Sequence, residues 1–113
     1  MDKKLPKEFI LKKSYQYKYV AKMGCRYHTP HFLILVKRNS LNYPRLGITA
    51  SRKIGNSVVR NRFKRVIREA FRNYKNYLNP YDISIIVKKK IMNDRINFSF
   101  VYNEIKSTMN KLC

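Results

Sequence analysis

Acidic residues are scarce in this sequence, and their scarcity argues against a self-sufficient nuclease. Six Asp and Glu stand against 26 Lys and Arg. Two-metal cleavage of a phosphodiester needs several converging carboxylates. The acids of this chain lie far apart, without paired spacing: Asp2, Glu8, Glu69, Asp82, Asp94 and Glu104. His28 and His31, beside Pro30, have no evident partner for acid–base cleavage. We therefore expect no catalytic residue and no metal site on the protein, and we expect the isolated chain to be inert.

Cysteines and long apolar runs are also few. Cys25 and Cys113 lie far apart and show neither a disulfide framework nor the spacing of zinc ligands, so we expect free thiols in a reducing compartment. The charged segment Met1–Ile10, interrupted by Pro6, lacks the apolar core of a signal peptide. The longest apolar run, Phe32–Val36, is much too short to span a bilayer. These absences predict a cytoplasmic protein.

Positive charge is the most abundant feature. The formal net charge is +20, yet 44% of the 113 residues are hydrophobic, which favours a folded chain over a disordered one. We expect one domain over residues 1–113, with residues 1–11 a loosely ordered basic segment. Charge of one sign repels itself in a compact fold, so a polyanionic partner is expected. Nucleic acid comes first and an anionic membrane surface is the competing class.

Hydrophobic periodicity predicts an α+β fold in which helices pack on a small mixed sheet, in the order α-β-β-α-β-α. Ser14 is expected to cap the first helix, and Gly24 to end it in a left-handed conformation. The first two strands are close in sequence, so we expect them to pair antiparallel. The predicted elements are a helix from Ser14 to about Met23, strands His31–Lys37 and Arg45–Ser51, a helix from Asn56 to about Tyr74, strand Asp82–Val87 and a helix from about Ser99 to Leu112.

The predicted central helix separates an apolar face from a cationic one. The apolar stripe is predicted to face the core: Val59, Phe63, Val66, Ile67, Ala70 and Tyr74. The opposite face, expected to point to solvent in the free protein, carries Arg60, Asn61, Lys64, Arg65, Arg68 and Arg72. Like charges four residues apart repel along a helix, which favours a polyanion over water as their neighbour. The first turn lacks acids and follows Arg52 and Lys53, so it is a candidate phosphate site.

The same helix carries a family resemblance. The run Lys53–Phe71, with Arg60-Asn61-Arg62 inside it, resembles the signature of the bacterial ribonuclease P protein family. Arg45–Thr49 before it and Asp82–Val87 after it also match that pattern, and the resemblance extends from about Leu11 to Leu112. It implies an α-β sandwich with a left-handed crossover around the central helix.

The resemblance also implies partners. Such a protein is a monomer when free and binds one catalytic ribonuclease P RNA, with no DNA or membrane partner. The complex removes the 5′ leader of precursor tRNA by hydrolysis, using Mg²⁺ held mainly by the RNA. The implied contacts with the catalytic RNA are Arg52, Lys53, Asn56, Arg60, Asn61, Arg62, Lys64, Arg65, Arg68 and Arg72. The implied leader contacts are Tyr17, Leu33, Leu35, Thr49, Ser51, Arg60, Lys64 and Arg68.

Some alternatives and departures stay open. A ribosomal protein fits the charge and the fold, a membrane-surface helix fits the central helix alone, and a helix-turn-helix does not fit a basic helix flanked by strands. Ala21 and Leu35 stand where the family often has aromatics, which predicts weaker base stacking there. Tyr15 and Tyr19 could compensate, but their helical spacing favours a core stripe.

Overall fold

A computed structural model describes residues 5–88 and 97–112. It confirms the α+β class, with three helices and one four-stranded mixed sheet. The elements are a 3₁₀ turn Lys7–Phe9, helix α1 Ser14–Met23, strands β1 Cys25–His28, β2 Phe32–Arg38 and β3 Arg45–Thr49, a 3₁₀ turn Arg52–Ile54, helix α2 Ser57–Tyr74, strand β4 Tyr81–Val87 and helix α3 Phe98–Met109. No helix within these residues is long and apolar enough to cross a membrane.

The strand order is β1-β2-β4-β3, and it contradicts the expected hairpin between β2 and β3. β4 lies between them, antiparallel to β2 and parallel to β3. The reason lies in β4 itself, because all its residues except Ile86 are buried. A strand buried on both faces belongs in the interior of a sheet, whereas the shorter β3 can serve as an edge. The parallel pair β3 and β4 is joined through α2, as a crossover requires, and the handedness of that crossover stays a prediction.

The main core lies on one face of the sheet, beneath α2 and α3. The apolar stripe of α2 is confirmed as a core face, since Phe63, Ile67 and Ala70 are completely buried. Aromatic rings join the layers: the centroid of Phe63 lies 6.1 Å from that of Phe32 in β2 and 5.1 Å from that of Phe98 in α3. This packing fixes the rotation of α2 and turns its cationic residues away from the core.

The opposite face of the sheet is covered by α1. This helix packs on β2 and β4 above one row of paired residues, Leu35, Ser84 and Gly47. Leu35 and Ser84 keep only 3% and 2% of their surface exposed. The next rows on each side of it are less buried, except at Asp82, which keeps only 7% of its surface exposed. They are Leu33–Ile86–Thr49 at one end and Lys37–Asp82–Arg45 at the other.

Both ends of α1 differ from the sequence prediction. Lys13 is the residue before the helix, and the Oε1 atom of Gln16 accepts from the backbone amides of Lys12 and Lys13 at 2.9 and 3.0 Å, so Ser14 is not the cap. Gly24 is extended, with φ −86°, and not left-handed. Glycine is needed there because an added Cβ would lie 2.6 Å from the carbonyl oxygen of Val20.

The N-terminal segment is more ordered than its composition suggests. Leu5 and Leu11 are buried, and Ile10 forms an isolated parallel bridge with Leu46 of β3. The expected loose order does not hold for residues 5–11, because Leu5 packs in the main core and the amide of Leu11 donates to the carbonyl of Leu46 in β3 at 2.9 Å. Residues 1–4 lie outside the described part of the chain.

Candidate nucleic-acid interface

The cationic face of α2 is a continuous stripe, but it is not fully exposed. Asn61, Arg62 and Arg65 are exposed, whereas Arg60 and Lys64 are partly buried, as are Arg68 and Arg72. The Nε atom of Arg60 is buried and, among residues 5–88 and 97–112, has no hydrogen-bond partner. The expectation that Arg60 faces solvent is therefore wrong in part. Long cationic side chains can bury their stems while the charged ends stay accessible.

The start of α2 is capped without any acidic group. The Oδ1 atom of Asn56 accepts from the amide of Val59 at 3.1 Å. Before it, Gly55 adopts φ 150°, a conformation that favours glycine, and Arg52 and Lys53 are exposed. The first two amides of the helix have no intrahelical acceptor. Free amides, the positive end of the helix dipole and two cations make this terminus suitable for a phosphate.

A cavity at the edge of β3 joins α1 to the cationic stripe. It has a volume of about 180 Å³, and Tyr17, Lys64 and Arg68 line it together with apolar residues of β3 and the N-terminal segment. The hydroxyl of Tyr17 donates to the carbonyl of Leu11 at 3.1 Å. Burial raises the pKa of Tyr17, so its phenol stays a protonated donor. Three predicted leader contacts, from two different helices, thus meet around one cavity.

The row Leu33–Ile86–Thr49 lies beside the row under α1, on the same face of the sheet. Leu33 and Ile86 are partly buried and Thr49 is exposed. Ile86 is absent from the sequence-based site list, although strand alternation would have placed it with Asp82 and Ser84 on one face. Finding it required the strand order, because only the position of β4 between β2 and β3 makes Ile86 the centre of the row.

Two other predicted leader contacts are less accessible than expected. Leu35 is 3% exposed beneath α1, so this structure corrects its assignment as a leader contact. The physical reason is that Leu35 lies in the row that α1 covers, two residues from the less buried Leu33. Ser51 follows the end of β3, and its hydroxyl accepts from the amide of Lys53 at 3.3 Å, which starts the turn before α2.

Tyr15 and Tyr19 are not core residues. Their exposed fractions are 67% and 53%, so the core stripe favoured by their spacing is wrong. The core side of α1 is instead formed by Val20 and Tyr17. Helical spacing identifies residues that share a face, but it does not say which face is buried.

A polar cluster far from α2 was missed by the sequence analysis. The Nδ1 atom of His31 lies 2.6 Å from the Oε1 atom of Glu104, which belongs to α3. The other carboxylate oxygen of Glu104 accepts from the backbone amide of His31 at 2.8 Å and from the hydroxyl of Thr29. Lys88 donates to the carbonyl of Thr29 at 2.7 Å. Through these hydrogen bonds, Glu104 connects α3 to the start of β2. Nothing in the sequence indicates this contact, because the partners are far apart along the chain.

The remaining acids do not gather into a metal centre. Among residues 5–88 and 97–112, no group of three His, Cys, Asp or Glu side chains could hold a metal ion. Asp2 and Asp94 lie outside those residues, as does Cys113. Cys25 is exposed and forms no disulfide.

Comparison with known proteins identifies the family. Residues 5–113 match the family model described as Ribonuclease P. The ribonuclease P protein component of Aliivibrio fischeri is 47% identical over 74 residues, covering 65% of this chain and 63% of that protein. The corresponding component of Fusobacterium nucleatum is 35% identical over 103 residues, covering 90% of this chain and 91% of that protein. The Staphylococcus aureus RNase P protein structure superposes with a TM-score of 0.82 at 28% identity, covering 91% of this chain and 93% of that one.

Proposed function

The chain belongs to the ribonuclease P protein family as a protein component of that endoribonuclease, and we propose that it binds two RNAs through two adjoining surfaces. The cationic stripe of α2 binds the catalytic RNA, and the cleft between α1 and the sheet binds the 5′ leader of precursor tRNA. The observation that carries this proposal is the cavity where Tyr17 of α1 meets Lys64 and Arg68 of α2. It makes the two surfaces continuous, so one protein could hold a leader against a larger RNA.

The catalytic-RNA surface relies on phosphate contacts. Arg62 and Arg65 are exposed on α2, and Arg52 and Lys53 flank its first turn. Arginine can contact a phosphate with two parallel hydrogen bonds, and Asn61 adds a donor and an acceptor for a base or a 2′-hydroxyl. Each neutralised phosphate releases counterions, so affinity should fall steeply with salt.

The leader surface relies on shape and on flanking charge. The row Leu33–Ile86–Thr49 offers an apolar floor with one exposed hydroxyl, and Tyr17 stands beside it. Lys64 and Arg68 supply cations at its edge. A single-stranded leader, whose bases are not paired, can use such a floor where a duplex cannot.

Magnesium belongs to the RNA in this proposal. The described part of the chain gathers no set of carboxylates that fits the ion, and Mg²⁺ is commonly held by phosphates and water. The ion supplies the hydrolytic chemistry when bound to the RNA, and the protein contributes binding and positioning. We also propose that the free protein is a monomer in the cytoplasm, with no DNA or membrane partner.

A single charge placed in the cleft tests the leader surface. Thr49→Glu puts a carboxylate at the exposed end of the row, where it would repel leader phosphates. We expect affinity for precursor tRNA to fall several-fold in the assembled complex, with affinity for mature tRNA unchanged. Asn76→Glu adds the same charge at an exposed turn after α2 and serves as the control. Equal losses of affinity for precursor and mature tRNA would show that the leader does not bind in this cleft.

A further inference from the structure

We propose that a second groove, on the other side of α1 from the leader cleft, binds a more distant part of the same leader by stacking its bases on Tyr15 and Tyr19. This inference rests on the proposed function, because it needs a leader already held in the first cleft. The groove has a volume of about 890 Å³. The two tyrosines of α1 form one wall, and Lys37 and Arg38 at the end of β2 line it as well.

The two tyrosine rings are available for stacking. Tyr15 and Tyr19 stand four residues apart on α1, which separates them by about 6 Å along the helix axis. More than half of each side chain is exposed, so neither ring is committed to the core. Bases of any sequence stack on aromatic rings, and successive rings along a cationic groove are characteristic of sites for single strands.

The charges in the groove suit a polyanion. Its only carboxylate among the lining residues, Asp82, accepts from the Nε and Nη2 atoms of Arg45 at 2.8 and 2.7 Å. Asn39 donates to the same carboxylate at 3.0 Å. The negative charge of Asp82 is therefore compensated, and Lys37 and Arg38 leave the groove with an excess of positive charge. That excess favours a nucleic-acid strand over an acid-poor or apolar protein segment.

The outer surface of α1 connects the two sites. At about 100° per residue, Lys18 and Lys22 fall between the two tyrosines and Ala21, which lies at the other edge of the buried face of α1. Lys18 and Lys22 are both exposed. A strand that leaves the row Leu33–Ile86–Thr49 can therefore pass over two cations before it reaches the rings. This path identifies the occupant as the leader, continued beyond its cleft-bound part.

The test compares leader lengths in the assembled complex. Precursors with leaders of about 4 and about 12 nucleotides both fall within the range of site sizes of single-strand grooves. For the double variant Tyr15→Ala/Tyr19→Ala, we expect affinity for the long-leader precursor to fall by about 30-fold or more, since each lost stacking costs at least about fivefold. Affinity for the short-leader precursor should not change. The double variant Tyr15→Phe/Tyr19→Phe keeps the rings and should restore binding.

A matched control is available in Tyr77, which is 84% exposed in the turn after α2. Tyr77→Ala removes an even more exposed ring elsewhere and should change the affinity for neither precursor. The inference is overturned if the Tyr15→Ala/Tyr19→Ala variant loses affinity equally for both precursors, because that result would place the rings against the catalytic RNA. It is also overturned if that variant keeps its affinity for both precursors. A wild-type complex that binds the short-leader precursor no better than mature tRNA would instead count against the proposed function itself.

Discussion

At the residue scale, the ring of Tyr17 in the candidate interface lies against Gly47. A Cβ atom added to Gly47 would lie 2.5 Å from the Cε1 atom of the Tyr17 ring. Glycine at this position therefore allows the ring to lie close to β3, beside the cavity that Lys64 and Arg68 also line. Glycine is thus needed at position 47 because of the Tyr17 ring. The backbone there does not have the positive φ that would require it.

Gly47→Ala should move Tyr17 out of place. We expect the free energy of unfolding to fall by about 1–3 kcal/mol, as for other overpacked sites, and affinity for precursor tRNA to fall with it. Denaturant unfolding and a binding titration measure the two effects. In a Tyr17→Ala background the same substitution meets no ring, so its additional effect on stability should be small. If Gly47→Ala lowers the free energy of unfolding by the same amount in that background, a group other than Tyr17 must clash with the added methyl group.

At the element scale, the start of α2 combines two separable roles. Asn56 caps the helix through its Oδ1 atom, while the absence of acids keeps the terminus open to phosphate. Asp is about as good a cap as Asn, and its charge is favourable near the positive end of the helix dipole. A carboxylate there would nevertheless repel a phosphate. Stability and RNA binding should therefore respond in opposite directions to one substitution.

Asn56→Asp should keep or slightly raise the free energy of unfolding while weakening binding to the catalytic RNA. The loss of one phosphate contact should also reduce the slope of log affinity against log salt by about 1. Asn56→Ala is the matched control, because it should lower stability by about 1 kcal/mol through the lost cap but adds no charge, so the slope of log affinity against log salt should not change. An unchanged affinity and salt slope in Asn56→Asp would mean that no phosphate lies at this terminus.

Periodicity predicted α2 and its core face correctly because that helix is long and amphipathic, and it placed β4 correctly because that strand is mostly apolar. β1 was missed because three of the four residues in Cys25–His28 are exposed and give no apolar pattern. The pairing of β2 with β3 was wrong because proximity in sequence was weighed above the burial of β4 on both faces. Local pattern identifies an element, whereas its neighbours depend on which strand best fills the interior.

In the candidate interface, too, local pattern identifies some residues and the arrangement of the sheet decides the others. The cations of α2 follow from sequence, since the apolar stripe fixes the opposite face. Ile86 and Leu35 could not be assigned without the register, because a residue is open or covered according to where α1 crosses the sheet. Tyr15 and Tyr19 needed the same information, as their spacing fits a core stripe and an exposed pair equally well.

At the scale of the whole molecule, the chain carries a net charge of +20, and we propose two adjoining RNA surfaces on it. One runs along α2 and the other crosses the sheet beside α1, and the cavity at the edge of β3 joins them. Two RNAs brought together repel each other, and a cationic protein between them lowers that repulsion. Mg²⁺ does the same from solution, so the contribution of the protein should be greatest where Mg²⁺ is scarce.

The central claim is that this chain assists an RNA catalyst and is not itself one. The most direct measurement is cleavage of precursor tRNA at low Mg²⁺ by a bacterial ribonuclease P RNA, with and without the protein. We predict that the protein alone releases no leader and that its addition restores accurate 5′ cleavage by the RNA. A protein that binds the RNA without restoring cleavage, or that cleaves the precursor alone, would contradict the account.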